Sequence, residues 1–108
     1  MAISYKVLGQ SAPSATTNTD LYTVPSSTSA VASTLVIANR GASTTVRVAV
    51  RPAGAALANQ HYIVYNTVVS QDDSLFLTIG LSLAATDVVT VYAGTANVSF
   101  SLFGSEIA

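Results

Sequence analysis

The segment "TTVRVAVRP", residues 44–52, decides the fold class, because apolar and polar side chains alternate along it. Its three valines share one face, while Arg47 and Arg51 stand on the other. A period of two turns one face toward a core and the other toward solvent, which is typical of a strand in an antiparallel sheet. The same alternation recurs in "NVSFSLF", residues 97–103. The sequence therefore predicts half-buried antiparallel strands.

Turn residues divide the chain into pieces of about 8 to 12 residues, the spacing typical of a sandwich or barrel. Between these turns the apolar residues alternate rather than recurring at helical spacing. The predicted strands lie at residues 3–8, 20–24, 30–39, 44–51, 60–68, 74–80, 87–93 and 97–103. Short helical turns are expected at 56–59 and 82–86. We expect an all-β fold, an antiparallel β-sandwich of about seven or eight strands with a jelly-roll-like arrangement.

The segment "GQSAPSATTNTD", residues 9–20, differs from the rest because it contains no apolar residue larger than Ala. Small polar residues around Pro13 are typical of an extended arm or a linker. We therefore divide the chain into an N-terminal strand with an extended arm, residues 1–18, and a β-sandwich domain, residues 19–108. The arm is expected to lie along a neighbouring surface.

Composition limits the partners of the protein. Its 108 residues fit one domain, and the absence of cysteine excludes disulfides and zinc–thiolate sites. A net charge of −1 gives no footprint for a nucleic acid, and no apolar run is long enough for a spanning helix, so neither a nucleic acid nor a membrane is an expected partner. Charged residues are 8% of the chain, against roughly 25% in ordinary soluble domains. We expect copies of the chain to form a homo-oligomer, with a trimer among the candidates.

The sequence predicts no enzyme, no cofactor and no metal site. His61 is the single histidine, and in the alternation of "NQHYIVYN" it is expected to lie in a strand as a hydrogen-bonded structural residue. Asp72 and Asp73 are adjacent, as a glycosidase pair would allow, yet "SQDDS" is a good turn by itself and turn chemistry is the favoured interpretation. Tyr62 and Tyr65 offer a weak sugar-binding signal, together with Tyr92, but packing within the sheet is favoured.

Two strands have apolar residues on both faces. In "SLFLTIGL", residues 74–81, Phe76 stands opposite the leucines, and in "VVTVYAG", residues 88–94, Val88 and Tyr92 stand opposite two other valines. This pattern suggests a subunit interface, or a face that the chain covers with its own arm or loop. Both interpretations remain open.

Three of the four basic residues, Arg40, Arg47 and Arg51, lie on one predicted strand and the turn before it. One interpretation is that they form a solvated face. The other is that their planar guanidinium groups bind carboxylates of an adjacent subunit, in which case they determine the alignment of the two subunits more than the strength of the contact. The candidate carboxylates are Asp72, Asp73, Asp87 and Glu106. The complete candidate interface is Arg40, Arg47, Arg51, Asp72, Asp73, Phe76 and Tyr92.

The order of segments resembles a known kind of protein. The pieces "LYTVP", "NRG…R.AVRP.GA.LAN.HYI.Y" and "FGSEI", between Thr19 and Ile107, resemble small virion structural proteins of tailed bacteriophages, particularly those of cyanobacterial and marine phages. The resemblance implies a non-enzymatic, all-β virion component, made in the host cytoplasm and located in the virion.

The resemblance leaves two roles open. In the first, the protein is a capsid cement or decoration protein that bridges coat subunits, with copies of itself and the major capsid protein as partners. In the second, it belongs to the tail, baseplate or fibre and acts as a receptor- or glycan-binding module. An exposed aromatic patch would favour the second role, whereas a flat apolar face would favour the first.

Overall fold

In the computed structural model, residues 2–108 form two four-stranded antiparallel sheets packed face to face. The strands are β1 (Ile3–Ser11), β2 (Thr19–Thr23), β3 (Ser29–Asn39), β4 (Thr44–Arg51), β5 (Tyr62–Val69), β6 (Ser74–Leu83), β7 (Val88–Ala93) and β8 (Val98–Ile107). Single turns of 3-10 helix at Pro52–Gly54 and Asn59–His61 connect β4 to β5. The predicted all-β antiparallel sandwich is confirmed.

The strand order is that of a jelly roll. The first sheet has the order β1-β8-β3-β6 and the second sheet the order β2-β7-β4-β5. Apart from β4 and β5, strands that follow one another in the chain lie in opposite sheets. This connectivity makes neighbours of distant segments, so that β1 pairs with β8, and β3 lies between β8 and β6.

The inward-facing side chains of the strands fill the space between the sheets. In the segment of residues 44–52, Val46 and Val48 are fully buried, whereas Arg47 and Arg51 are partly exposed. Other large, fully buried side chains are Val24, Leu35, Ile37, Val89, Val91, Val98, Phe100 and Leu102. Burial of one such side chain contributes about 1.5–3 kcal/mol. This layer is therefore the main source of the fold's stability.

The N-terminal strand is longer than predicted and is an integral part of the first sheet. β1 extends to Ser11 and forms the sheet edge through its pairing with β8. Its register shifts between Val7 and Gly9. A Cβ atom on Gly9 would lie 2.2 Å from the carbonyl oxygen of Leu21, so only glycine fits at this close approach of two backbones.

The connection from β1 to β2 also lies against its own chain. Pro13 is buried, and the amide of Thr16 donates a hydrogen bond to the carbonyl oxygen of Ala93 at 2.8 Å. The remaining residues of this connection are exposed. At Pro13 and Thr16, the surface that this polar segment lies along therefore belongs to its own chain.

The prediction that His61 lies in a strand is wrong. His61 ends the 3-10 turn Asn59–His61, and its Nδ1 accepts a hydrogen bond from the Ala58 amide at 3.1 Å. This bond closes the turn and makes His61 the hydrogen-bonded structural residue that was expected. The helical turn expected at 56–59 lies slightly later, at Asn59–His61, and a further 3-10 turn begins at Pro52, whose ring fixes a φ suited to a helical start. The expectation of a helical turn at 82–86 is wrong, since these residues are the end of β6 and a non-helical turn.

The strands with two apolar faces differ from each other. On β7, the outward-facing Val88 is buried and lies near the turn Pro52–Gly54, so the chain's own loop covers it. On β6, Phe76 is 69% exposed. The covering-loop interpretation therefore holds for Val88 on β7, whereas Phe76 on β6 remains exposed.

Asn39, at the end of β3, ties two loops together. It is buried, and its Nδ2 donates to the carbonyl oxygens of Ala42, Val69 and Ser70 at 2.9, 3.1 and 3.2 Å. Its Oδ1 accepts from the Gly41 amide at 3.0 Å. One amide side chain therefore links the β3–β4 loop to the end of β5 and to the β5–β6 loop, and its contact with the Val69 carbonyl is buried.

We predict that Asn39→Asp destabilises the fold by at least about 3 kcal/mol, because a carboxylate cannot donate and would face buried carbonyl oxygens. Urea denaturation followed by circular dichroism measures the effect. Asn18→Asp is the matched control, since Asn18 is exposed and receives the same change of charge. Equal denaturation midpoints for the two variants would contradict the role of Asn39.

Candidate interaction surfaces

The outer face of the first sheet carries no charged side chain among residues 2–108. Its four strands contain two charged residues, Lys6 on β1 and Glu106 on β8, and both lie on the inward alternation. The Lys6 ammonium contacts Glu106 Oε1 at 2.5 Å, and Glu106 Oε2 accepts from the hydroxyl of Tyr22 on the second sheet. The ion pair joins two strands of the first sheet, and the hydrogen bond from Tyr22 to Glu106 connects the two sheets. We call the outer side of the first sheet the uncharged face.

The uncharged face exposes large apolar side chains. They are Ile3, Tyr5 and Val7 on β1, Val31 on β3 and Phe76 on β6. Tyr5 is 84% exposed, more than any other large apolar side chain on this face. Exposed apolar groups that cluster on one side of a molecule mark an interaction surface.

Strand register makes one part of this surface continuous. The Cα partner of Val7 is Phe103, and Ser105 lies between Tyr5 and Val31. A shallow groove with a volume of about 410 Å³ lies here, and it is lined by Tyr5, Lys6, Val31, Ser33, Phe103, Gly104 and Ser105. The exposed apolar groups at the β1 side therefore form one patch, while Phe76 stands at the opposite edge of the sheet.

The outer face of the second sheet holds a cation between aromatic rings. Arg47 Cζ lies 4.6 Å from the centroid of the Tyr65 ring and 4.5 Å from that of Tyr92, and its Nε donates to Asn66 Oδ1 at 2.7 Å. Cation–π attraction favours this stacking. We call these four residues the tyrosine–arginine cluster.

Backbone irregularity assembles the tyrosine–arginine cluster. The pairing of β4 with β5 shifts between Val46 and Val48, opposite Asn66, whose φ of 52° is left-handed. Asparagine tolerates this conformation better than most residues. The bulge aims the Tyr65 and Asn66 side chains at Arg47.

A cleft adjoins the tyrosine–arginine cluster. Asn59, Tyr62 and Tyr65 line it, and its volume is about 470 Å³. The rings of Tyr62 and Tyr65 meet edge to face, with centroids 4.9 Å apart. Tyr65 therefore lines the cleft and also stacks on Arg47.

Arg51, on the same strand as Arg47, is engaged within its own chain. Its Nη2 lies 3.0 Å from Asp20 Oδ1, and its Nε donates to Thr90 Oγ1 at 3.0 Å. Its Nη1 donates to the carbonyl oxygen of Ala55 at 3.0 Å. Its guanidinium thus binds a carboxylate, as expected of an interface arginine, but the carboxylate belongs to the same subunit.

The acidic residues named as candidate partners also have local contacts. Asp87 accepts hydrogen bonds from the amides of Ala53 and Ala84, both at 2.9 Å. Asp73 Oδ1 accepts from the Ser74 amide at 2.8 Å, and Asp72 takes a left-handed φ of 54° in the same turn. These contacts are the turn chemistry that the sequence favoured over catalysis.

Arg40 lies in the loop between β3 and β4, where it is exposed. Its amide donates to the carbonyl oxygen of Asn97 at 2.8 Å, and the Asp72 amide donates to the neighbouring Gly41 carbonyl. The structure therefore separates the candidate interface into three places. Arg47 and Tyr92 lie on the second sheet, Phe76 lies on the first, and Arg40 lies beside the Asp72 turn.

The structure offers no metal-binding cluster in the residues it describes, since nowhere do three His, Asp or Glu side chains come together. Within the same residues, no helix is long and apolar enough to cross a membrane. No protein-family model matches the chain, and no curated protein or solved structure is significantly similar to it.

Two features of the surfaces lie beyond the sequence analysis. The bridge between Lys6, Glu106 and Tyr22 is not predictable from the sequence, because these residues are far apart in the chain and lie in both sheets. The contact between Arg47 and Tyr65 was not predicted either. The signal that was available is that Arg47 and Tyr92 both occupy outward positions of their strands.

The bridge between the sheets makes stability depend on pH. Hydrogen bonds from Lys6 and Tyr22 hold the pKa of Glu106 below its ordinary value. Burial, and next the adjacent Glu106 carboxylate, raise the pKa of Tyr22. The ionised Glu106 is therefore favoured in the folded state, and its contribution to stability is lost as pH falls through the lowered pKa.

We predict that Glu106→Gln reduces the loss of stability in acid, below about pH 4.5. Gln keeps the size of the side chain but has no carboxyl group to protonate. Urea midpoints measured from about pH 6 down to about pH 3 test this. Asp72→Asn is the control, since it removes an equal charge from an exposed turn. An unchanged acid dependence in Glu106→Gln would contradict the prediction.

Proposed function

We propose that the protein is a non-enzymatic structural component of a bacteriophage virion, and specifically a capsid cement or decoration protein that bridges coat subunits. The resemblance of residues 19–107 to small virion proteins of tailed phages is one support. The uncharged face is the observation that carries the proposal, because a surface without charge that exposes Tyr5 and Phe76 is suited to be covered by protein.

Burial of this face supplies the energy of docking. Aromatic side chains bury about 150–250 Å² each, and each square ångström of apolar area contributes about 25 cal/mol. A single contact of this kind is weak once the cost of association is subtracted. On a capsid the contact is repeated many times, so avidity compensates for the low affinity of each site. The proposed partners are the major capsid protein and further copies of this chain.

A second candidate function places the protein in the tail, baseplate or fibre as a receptor- or glycan-binding module. The tyrosine–arginine cluster and its cleft favour this alternative, because exposed tyrosines beside amide side chains suit a sugar ring. The fold does not choose between the two, since jelly rolls occur both in viral capsid proteins and in lectins.

Immunogold labelling distinguishes the two locations. An antibody raised against the recombinant protein is applied to virions purified from a lysate of the culture that carries the gene, and the particles are viewed by electron microscopy. Label spread over the heads supports the cement function. Label confined to the tail end rejects it in favour of the second candidate, and unlabelled particles reject both.

We predict that Phe76→Ser and Tyr5→Ser lower incorporation into virions several-fold while leaving the melting temperature close to that of the wild type. Both side chains are exposed, so their loss removes a docking contact and little core packing. Val68→Ser is the matched control, because Val68 is 63% exposed on the second sheet. Competition between wild-type and variant protein during particle assembly gives the ratio of their incorporation into virions. Equal incorporation of all the variants would show that the uncharged face is not the docking surface.

A further inference from the structure

Arg47 is a fixed cation without a carboxylate partner in residues 2–108. The ion pairs there join Lys6 to Glu106 and Arg51 to Asp20. Within the same residues, Arg47 makes its side-chain hydrogen bond through Nε alone, and no buried side-chain nitrogen or oxygen lacks a partner. Its Nη groups are therefore open to solvent and carry up to four N–H donors.

Arg51, on the same strand, does not share this openness. Both arginines lie on the outward face of β4, four residues apart. Arg51 is fully engaged, whereas Arg47 has only the Asn66 amide oxygen, which is uncharged. The strands of the second sheet carry three charged residues, and Asp20 neutralises Arg51. The net positive charge of this outer face therefore resides on Arg47.

The surroundings hold Arg47 in position for a ligand. Two tyrosine rings bracket the guanidinium at 4.6 and 4.5 Å, and Asn66 anchors its Nε. A free arginine side chain loses about 2 kcal/mol of rotamer entropy when it is immobilised. Because the fold has already restricted this side chain, a ligand bears less of that cost. A planar guanidinium in this state suits bidentate binding of a carboxylate.

The cleft beside Arg47 indicates what carries the carboxylate. Its volume of about 470 Å³ lies within the roughly 300–1,000 Å³ typical of small-molecule sites. Tyr62 and Tyr65 provide aromatic surface, and Asn59 provides amide hydrogen-bonding groups. Since Tyr65 also stacks on Arg47, a ring that contacts Tyr65 lies within reach of the guanidinium.

We propose that the outer face of the second sheet binds an acidic saccharide. The sugar ring occupies the cleft against Tyr65, and the carboxylate of a uronic acid accepts hydrogen bonds from the Nη groups of Arg47. This assignment rests on the second candidate function, glycan binding, and gives it a ligand class. It does not require the uncharged face.

The test is titration of the full-length, ¹⁵N-labelled protein with oligosaccharides of galacturonic acid and glucuronic acid, followed by NMR chemical shifts. Oligosaccharides of galactose and glucose are the matched ligands, because they carry a hydroxymethyl group at C6 where the acidic ones carry the carboxylate. We expect shifts centred on the amides of Tyr65 and Asn66, and affinity for at least one acidic ligand about tenfold or more above that for its neutral counterpart. Raising the salt concentration should weaken this binding.

Variants separate the charge from the stacking. Arg47→Gln should lose at least about tenfold in affinity for the acidic sugar, and Arg47→Lys should fall between Gln and wild type because it keeps the charge without the planar fork. Arg40→Gln is the control, since it removes the same charge from an exposed loop. The NMR spectra of each variant show directly whether the fold is retained. If Arg47→Gln does not fold, Arg47→Lys and the matched ligands still decide the question.

Three outcomes overturn the proposal. Equal affinity for acidic and neutral sugars would leave glycan binding intact but reject the carboxylate site. Binding that survives in a folded Arg47→Gln variant would place the carboxylate elsewhere. Absence of binding by every oligosaccharide at about 10 mM would reject the saccharide site, because 1 mM affinity corresponds to only about 4 kcal/mol. None of these results affects the immunogold labelling, so failure here is distinguishable from failure of the virion proposal.

Discussion

Burial of one face of each sheet against the other is the constraint on which the whole molecule depends. Side chains alternate across a strand, so the choice of inner residues also fixes the outer ones, and a slip of one residue would exchange the two sets. In this chain the inner set is almost entirely apolar, with the bridge from Lys6 through Glu106 to Tyr22 at one side. The chemistry of both outer faces follows from this arrangement.

The strands could be predicted because alternation and turn residues are local signals, and all eight predicted strands overlap observed ones. The positions of the bulges could not be predicted. On β3, Ala30 and Ala32 point inward, and so do Leu35 and Ile37, because an extra residue at Ser33 switches the alternation. A strict period of two would turn one of these pairs outward. The composition of the uncharged face depends on such switches, and the sequence does not mark them.

The candidate surfaces were predictable to a similar degree. The sequence placed Arg47, Tyr92 and Phe76 on outward positions, which alternation alone reveals. It did not distinguish Arg47 from Arg51, because the partners of these arginines come from other strands: Asp20 is 31 residues from Arg51, and Asn66 is 19 residues from Arg47. Cross-strand register and the left-handed conformation of Asn66 decide which arginine is left open, and both are products of tertiary packing.

Docking through the uncharged face and saccharide binding at the cleft use opposite sides of one sandwich, so the two contacts do not compete for the same surface. If the uncharged face docks on other virion proteins, the second sheet is turned away from that contact, and the tyrosine–arginine cluster remains accessible. The distribution of charge agrees with this orientation, since no charged side chain points outward from the face proposed for docking, whereas Arg47 keeps its solvated donors on the other side. A rigid sheet pair between the two faces then allows docking to present the cleft in a fixed orientation. Occupancy of the cleft and attachment to the particle are therefore expected to vary independently.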